Sequence, residues 1–319
     1  MQSTKLIALD WGTTSLRAYR IGANGMAQEK RALPWGIMNL PPIGPGSDLR
    51  SGFDLALAEA CGDWIEAAPQ AAVIAAGMVG SAQGWKEARY LELPQTITDI
   101  GQQLTSVSHA RGTLHIVPGL LQRGALPNVI RGEETQVVGA LSELGQNEDV
   151  LIGLPGTHSK WVRVQDRRIV HFDTFMTGEV YAVLRRHTIL GRTMLPTDHG
   201  DDASFERGAR VAMSEQGQAG VLSTIFSSRT LGLTGELDGA AQPEYLSGLL
   251  IGHEIAALAA TRRTTGLDPA PRIILIGDDQ LCERYRKVLA LHAMTTVNIA
   301  VAATERGLWQ IASQAGLLP

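Results

Sequence analysis

Apolar and polar positions alternate in two ways along this chain, and the changes between them mark its elements. Leu6 to Leu9 form a short apolar run, which predicts a buried strand. Leu16 to Ile21 alternate, Ala23-Asn24-Gly25 supply a hairpin turn, and Met26 to Leu33 return as a third strand. Phe53 to Ala68 carry apolar residues at helical spacing, Ala71 to Ala76 and Thr113 to Val117 read as short buried strands, and Glu134 to Leu144 as a helix. Further helices are expected near Gly178 to His187, Phe205 to Gln216 and Tyr245 to Thr261. The segment PRIILIGDDQLCERYRKVL reads as strand, glycine turn and helix, a unit repeated by Val297 to Val301 and Glu305 to Ala315.

The opening pattern occurs twice. In VLIGLPGTHSKWVRVQDRRIVHFDTF, residues 150–175, an apolar strand again meets a Gly-Thr turn, followed by an alternating strand from Lys160 to Val164, a polar turn and a third strand through Phe172. A repeat at this separation indicates two copies of one supersecondary unit, each heading its own domain; a solenoid would have a far shorter period. The polar stretch Gly145 to Asp149 is the expected boundary, giving domains 1–146 and 147–319. The fold class is α/β.

Composition narrows the partners. A chain of 319 residues with 44% hydrophobic and 19% charged residues and 35 glycines is globular and rich in tight turns. Lys and Arg are scattered and the formal net charge is −4, which gives no basic groove for nucleic acid and no patch for an anionic membrane. Small molecules are the expected partners; a homodimer is an admissible expectation that no segment argues for. Cys61 and Cys282 stand far apart without neighbouring ligands, so neither a zinc site nor a disulfide framework is indicated, and a reducing cytoplasm fits. The first ten residues become charged too early for a secretory leader, and the tract from Tyr245, broken by His253 and Glu254, is too short to span a membrane.

The chemistry concentrates at the two turns. Asp10 ends a buried strand, where an ionised carboxylate is costly unless something pairs with it. Beside a turn of outward N–H groups and hydroxyls it suits a magnesium ion held against nucleotide phosphates, with Gly12, Thr13 and Thr14 on the phosphate oxygens. The plain alternative is a strand-end Asp capping its own turn. The second turn offers Gly156, Thr157, His158, Ser159 and Lys160 but no acid at the position of Asp10. Neither a Walker A sequence nor a G-x-G-x-x-G fingerprint occurs, nor a G-x-S-x-G elbow.

Five segments, LDWGTTSLRAYR, AAGMVGSAQGW, RGEETQVVGAL, LPGTHSKWV and FMTGE, together resemble the 2-dehydro-3-deoxygalactonokinase family, sugar-acid kinases of the actin and hexokinase ATPase superfamily. The likeness covers most of the chain in the family's order. It implies two RNase H-like domains with ATP in the cleft between them. The first phosphate motif would be Asp10 to Thr14, the second Gly156 to Thr157, and the adenosine motif would include Gly277, which otherwise reads as an ordinary strand-to-helix turn capped by Asp278 or Asp279. RGEETQVVG is similar to the Gly-Asp-Gln-Gln segment of related carbohydrate kinases, whose acid orients the attacking hydroxyl; this points to Glu133 as base, with Glu134 second. Two acids opening a helix are also simply favourable to its dipole. For the sugar acid the candidates are the glycine turn with Gly77, Met78 and Gly80, and the nearby Ser81 and Trp85; a tight turn and a packing Trp are the plain alternative. Arg17, Arg131 and Arg192 are candidates for the substrate carboxylate. The implied reaction is ATP-dependent phosphorylation of the 6-hydroxyl of a 2-keto-3-deoxy sugar acid with Mg²⁺. A phosphoanhydride hydrolase of the same superfamily and a nucleotide-dependent binding switch are the competing readings.

Overall fold

The structure is a computed structural model that describes residues 3–42, 44, 49–141, 144, 148–196 and 200–318; the expected boundary at 146–147 falls outside them. The opening alternation becomes the antiparallel meander β1 (Thr4–Trp11), β2 (Leu16–Gly22) and β3 (Ala27–Leu33). Its second turn, between β2 and β3, closes through Gly25 at φ 74°, with the Met26 N–H donating to Asn24 Oδ1 at 3.1 Å. Helix α1 (Leu49–Ala67) starts a turn earlier than its apolar spacing suggests, and β4 (Ala72–Gly77) then returns parallel to β1. Phe53, Leu57 and Trp64 of α1 pack with Ile7, Leu9 and Trp11 of β1 in one hydrophobic core.

The stretch that follows holds elements the pattern did not reveal, β5 (Tyr90–Glu92), α2 (Ile97–Gly101), β6 (Thr105–His109), β8 (Gly119–Gln122) and β9 (Asn128–Ile130), around the strand expected at Thr113 to Val117, which is β7 (Gly112–Ile116), before helix α3 (Glu133–Leu141). β1 to β4, β6 and β7 form one sheet in the order β3-β2-β1-β4-β7-β6, while β5, β8 and β9 make a small sheet of their own. The small sheet escapes a periodicity search because its strands have three or four residues, too few to alternate visibly.

The second copy of the meander is β10 (Val150–Leu154), β11 (Ser159–Gln165) and β12 (Arg168–Phe175), its hairpin turned by Asp166 and Arg167 at φ 49° and 59°. Next come α4 (Thr177–His187), α5 (Asp202–Met213), α6 (Val221–Thr224), α7 (Ser227–Leu233), α8 (Gln242–Thr264), β13 (Ile273–Leu275), α9 (Asp279–Leu291), β14 (Val297–Ile299) and α10 (Ala303–Gln314). Helix α5 begins before its apolar stripe because Asp201 caps it, accepting from the N–H groups of Ala203 and Ser204. The second sheet runs β12-β11-β10-β13-β14, the same three-strand meander with parallel strands added beside its first strand. Two copies of one α/β sheet unit are thus what the fold contains.

Two compact units emerge, and neither is a single stretch of chain. One comprises Met1–Asp149, Val162–Phe172 and Ala300–Pro319; the other comprises Val150–Trp161 and Asp173–Ile299. The second is built around Leu151, Trp161, Phe205, Ile255, Ile273 and Tyr285. No helix among the described residues is long and apolar enough to cross a membrane.

Candidate active site

In a parallel sheet, ligands collect at the carboxyl ends of the strands, where turns expose backbone N–H groups. In the first unit, β1 and β4 end side by side, Asp10 opposite Ala76 and Trp11 opposite Gly77. Successive side chains alternate across a strand, so Trp11 enters the core shared with α1 while Asp10 takes the other face. The Asp10 side chain is 22% exposed, and Arg17 Nη1 donates to its Oδ2 at 3.1 Å. Burial raises the Asp10 pKa above the ordinary carboxylate value; Arg17 opposes this, and Glu305 of α10 adds to it. The turn after Asp10 is closed by the Gly12 N–H donating to Ser15 O at 2.9 Å, leaving Thr13 and Thr14 exposed. The segment around Gly36 braces it: Ile37 and Met38 donate N–H bonds to the carbonyls of Gly12 and Thr13.

The same strand ends carry the glycine turn. Gly77 has φ 94°, and a Cβ there would lie 2.8 Å from Trp11 O, so the close approach of β4 to β1 requires glycine. A 3₁₀ turn, Met78–Gly80, follows. Helix α3 begins directly alongside, since a Cβ on Gly132 would come within 3.2 Å of Gly77 Cα. Asp10, the Gly12–Thr14 turn, the Gly77–Gly80 turn and the acids opening α3 therefore share one edge of one sheet. Ser81 is half-buried, its hydroxyl lacking a hydrogen-bond partner among the described residues. Trp85 sits in the core, stacked on Phe53 at 5.6 Å and edge-on to Trp11 at 6.0 Å.

The two acids differ in access. Glu133 is half-buried and accepts the Arg131 N–H at Oε2, 3.0 Å away. Glu134 is fully buried; its Oε2 accepts the Gly132 N–H at 2.6 Å and its Oε1 accepts the Thr135 hydroxyl at 3.1 Å. Burial first, then the neighbouring Glu133 charge, pushes the Glu134 pKa up to about 7. Of the three arginines singled out in the sequence, Arg17 is engaged by Asp10. Arg131 is buried, stacked on Tyr90 at 4.2 Å and donating to Ala88 O at 2.8 Å. Arg192 is exposed in the second unit.

In the second unit the turn after β10 takes the place that Asp10 to Thr14 hold in the first. Gly156 is open, since a Cβ on it would meet nothing within 4 Å. Thr157 and His158 are exposed, and the His158 ring bonds the Glu179 carboxylate. The first turn of α4 lies against this loop, with the Glu179 N–H donating to Thr157 O at 3.0 Å. A Cβ on Gly178 would stand 2.4 Å from Gly156 O, so only glycine lets helix and loop approach this closely. Gly277 follows β13 next to the same loop, where a Cβ on it would lie 3.2 Å from Pro155 O, and Asp278 caps α9 by accepting the Leu281 N–H. A cavity of about 340 Å³ opens beside Gly156, walled by Thr177, Tyr181, Glu244, Arg284 and Tyr285 among others. Arg284 pairs with Glu244 at 2.7 Å and lies over the Phe205 ring at 5.3 Å.

Of this wall, the sequence pointed only to Thr177 and Gly178, in the FMTGE segment. A further signal behind it is Glu254, a charge in the middle of an apolar helix, which is 3% exposed and bonded by Trp161, Tyr285 and Thr177. No group of three or more His, Cys, Asp or Glu side chains poised for a metal occurs among the described residues.

Comparison with known proteins bears on the family and the fold. The 2-dehydro-3-deoxygalactonokinase of Escherichia coli strain K12 is 35% identical over 317 residues, covering 97% of this chain and 98% of that protein. A crystal structure from Sinorhizobium meliloti, of a protein named as a proposed 2-dehydro-3-deoxygalactonokinase, superposes with a TM-score of 0.84 at 34% identity, over 96% of this chain and 98% of that one. At 10% identity and a TM-score of 0.50, the activator of 2-hydroxyisocaproyl-CoA dehydratase from Clostridium difficile, crystallised with ADPNP, shares the fold over 98% of this chain and 95% of its own. The 2-keto-3-deoxy-galactonokinase family matches residues 10–311, and the chain belongs to that family.

Proposed function

We propose that this protein is an ATP-dependent kinase that phosphorylates the 6-hydroxyl of 2-dehydro-3-deoxy-D-galactonate, giving 2-dehydro-3-deoxy-6-phosphogalactonate. The observation that carries this is the family match over residues 10–311, which spans the Asp10 turn, the Gly77 turn, the Glu133 helix start and the Gly156 turn. Asp10 fits a magnesium ion: it is one partly exposed carboxylate, which suits a cation that keeps several waters and takes its other ligands from phosphate. Bound there, Mg²⁺ would neutralise charge on the transferring phosphoryl group.

The chain's own groups do the rest. Within the first unit, Gly12, Thr13 and Thr14 offer N–H groups and hydroxyls that suit phosphate oxygens; within the second, Gly156, Thr157 and His158 offer groups of the same kind. The adenosine would take the cavity beside Gly156 and Gly277. Glu133 is the acid that orients the 6-hydroxyl and accepts its proton as the oxygen attacks phosphorus. Glu134, sealed from solvent, holds the Gly132 N–H and so fixes the start of α3. The turn with Gly77, Met78, Gly80 and Ser81 borders the sugar acid, with Trp85 anchoring it from the core. The enzyme is placed in the cytoplasm; the homodimer expectation is checked by light scattering.

ADP release by the purified protein with Mg·ATP tests this, with and without 2-keto-3-deoxygalactonate and its gluconate epimer. ADP is expected only with a sugar acid. Asp10→Asn and Glu133→Gln should each lower kcat by about a hundredfold or more, the usual effect of removing a charge stabiliser or a general base. ADP release that ignores the sugar would instead favour the hydrolase.

A further inference from the structure

Glu254 is a carboxylate in the middle of α8 with no part in the chemistry above. An acid buried this far persists only where hydrogen bonds replace its lost hydration. Three donors from three different elements converge on it. Trp161 Nε1 of β11 donates to Oε1 at 2.7 Å, Tyr285 OH of α9 donates to Oε2 at 2.7 Å, and Thr177 Oγ1, which opens α4, donates to the same Oε2. Ser159, directly after His158, extends the network through its hydroxyl to Tyr285 OH at 2.8 Å. Burial raises the Glu254 pKa, and all four partners oppose that rise.

What the network grips is the second Gly-Thr turn. Ser159 and Trp161 lie just beyond it on β11, and Thr177 precedes Gly178, whose backbone abuts Gly156. Thr177 and Tyr285 also wall the cavity beside Gly156. We propose that Glu254 is a positioning residue for the nucleotide, fixing the Gly156–His158 turn and the Thr177 hydroxyl through its bonds to Trp161, Tyr285 and Thr177. This rests on the assignment of that turn and cavity to ATP.

The carboxylate also sets hydrogen-bond direction. Trp161 can only donate, so a Gln at 254 must keep its carbonyl oxygen there and turn its amide N–H₂ toward Tyr285 and Thr177. Those hydroxyls must then accept, and the Thr177 hydrogen is redirected while packing is preserved. Glu254→Gln therefore perturbs the nucleotide side without opening a void.

Steady-state kinetics on Glu254→Gln, Thr177→Val and Thr157→Val, with ATP and sugar acid varied separately, tests the proposal. Glu254→Gln is expected to raise KM for ATP about tenfold, on the scale of one charge-assisted hydrogen bond, with KM for the sugar acid within about twofold of wild type. A group that only held the fold would lower Tm and leave the ratio of the two KM values unchanged. If Thr157→Val raises KM for ATP and Glu254→Gln does not, the positioning role is overturned. If neither raises it, the assignment of the turn to ATP fails, and the role with it. Should Glu254→Gln not fold, Thr177→Val decides: an unchanged KM for ATP overturns the proposal, and a rise of about threefold or more supports it.

Discussion

Glu133 and Glu134 are chemically alike and adjacent, yet the fold gives them different work. At the start of a helix the first N–H groups lack partners, and a nearby carboxylate satisfies them. Glu134 does this for the N–H of Gly132, directly before the helix, while Glu133 reaches one residue further back to the Arg131 N–H, and only Glu134 is completely enclosed. Its pKa of about 7 in the folded chain, against 4.5 for an ordinary glutamate, gives stability a definite pH dependence. Between those values the folded chain keeps a proton that the unfolded chain has released, so stability falls as pH rises through the window and levels off above it. At about 1.4 kcal/mol per unit, wild type should lose roughly 2 to 3 kcal/mol more than Glu134→Gln between pH 5 and pH 7.5. Urea denaturation of both proteins at the two pH values measures this; parallel profiles would mean that Glu134 is already ionised in the fold. The sequence shows that two acids open this helix, and family likeness points to the first. Which one solvent can reach depends on the tertiary packing around the helix start, where Gly132 comes up against Gly77, and no local pattern displays it.

Helices cross closely where glycine replaces side chains, and both units use the device. A Cβ on Gly139 of α3 would lie 1.8 Å from Ala303 O, and one on Gly307 of α10 would lie 1.9 Å from Thr135 O. In the second unit, Gly208 of α5 and Gly248 of α8 stand in the same relation, each 2.1 Å or less from a carbonyl of the other helix. An exposed helical Gly→Ala change usually stabilises by about 0.5 to 1 kcal/mol. At Gly307 the sign should reverse, because the methyl group would overlap a backbone atom that cannot rotate away. Gly307→Ala is expected to cost at least about 2 kcal/mol in urea denaturation, while Ser313→Ala on the exposed side of the same helix should cost nothing. A neutral Gly307→Ala would show that α10 can slide on α3. These glycines read as weak points in the sequence, whereas the meanders around Asp10 and Gly156 were legible because alternation and a turn signal coincide there. β5, β8 and β9 lacked that coincidence, and Glu254 looked like an interruption of an apolar helix until its three donors were assembled from β11, α4 and α9.

At the scale of the whole chain, sequence order and structural membership part company. Ala300–Pro319 follow the last strand of the second sheet yet belong to the first unit. Helix α10 is fixed there by several independent ties. Glu305, 6% exposed, pairs with Lys30 of β3; Gln136 of α3 donates to Thr304 at 3.2 Å; and Thr98 of α2 donates to Gln314 at 3.0 Å. Leu308, Ile311 and Ala312 are fully buried. Deleting 300–319 removes those side chains and uncovers the surface of the first unit they pack on, and burying one large aliphatic residue is worth about 1.5 to 3 kcal/mol. Set against a typical domain stability of about 5 to 15 kcal/mol, that loss should unfold the first unit before the second. Limited proteolysis of a chain ending at Ile299, with fragments mapped by mass spectrometry, should therefore find early cleavage within 1–149 and retention of 173–299. Early cleavage spread evenly over both stretches would mean that the units unfold together. Because Asp10 and Glu133 both lie in the unit that α10 supports, the shortened chain should also lose sugar-dependent ADP release even where its second unit remains folded.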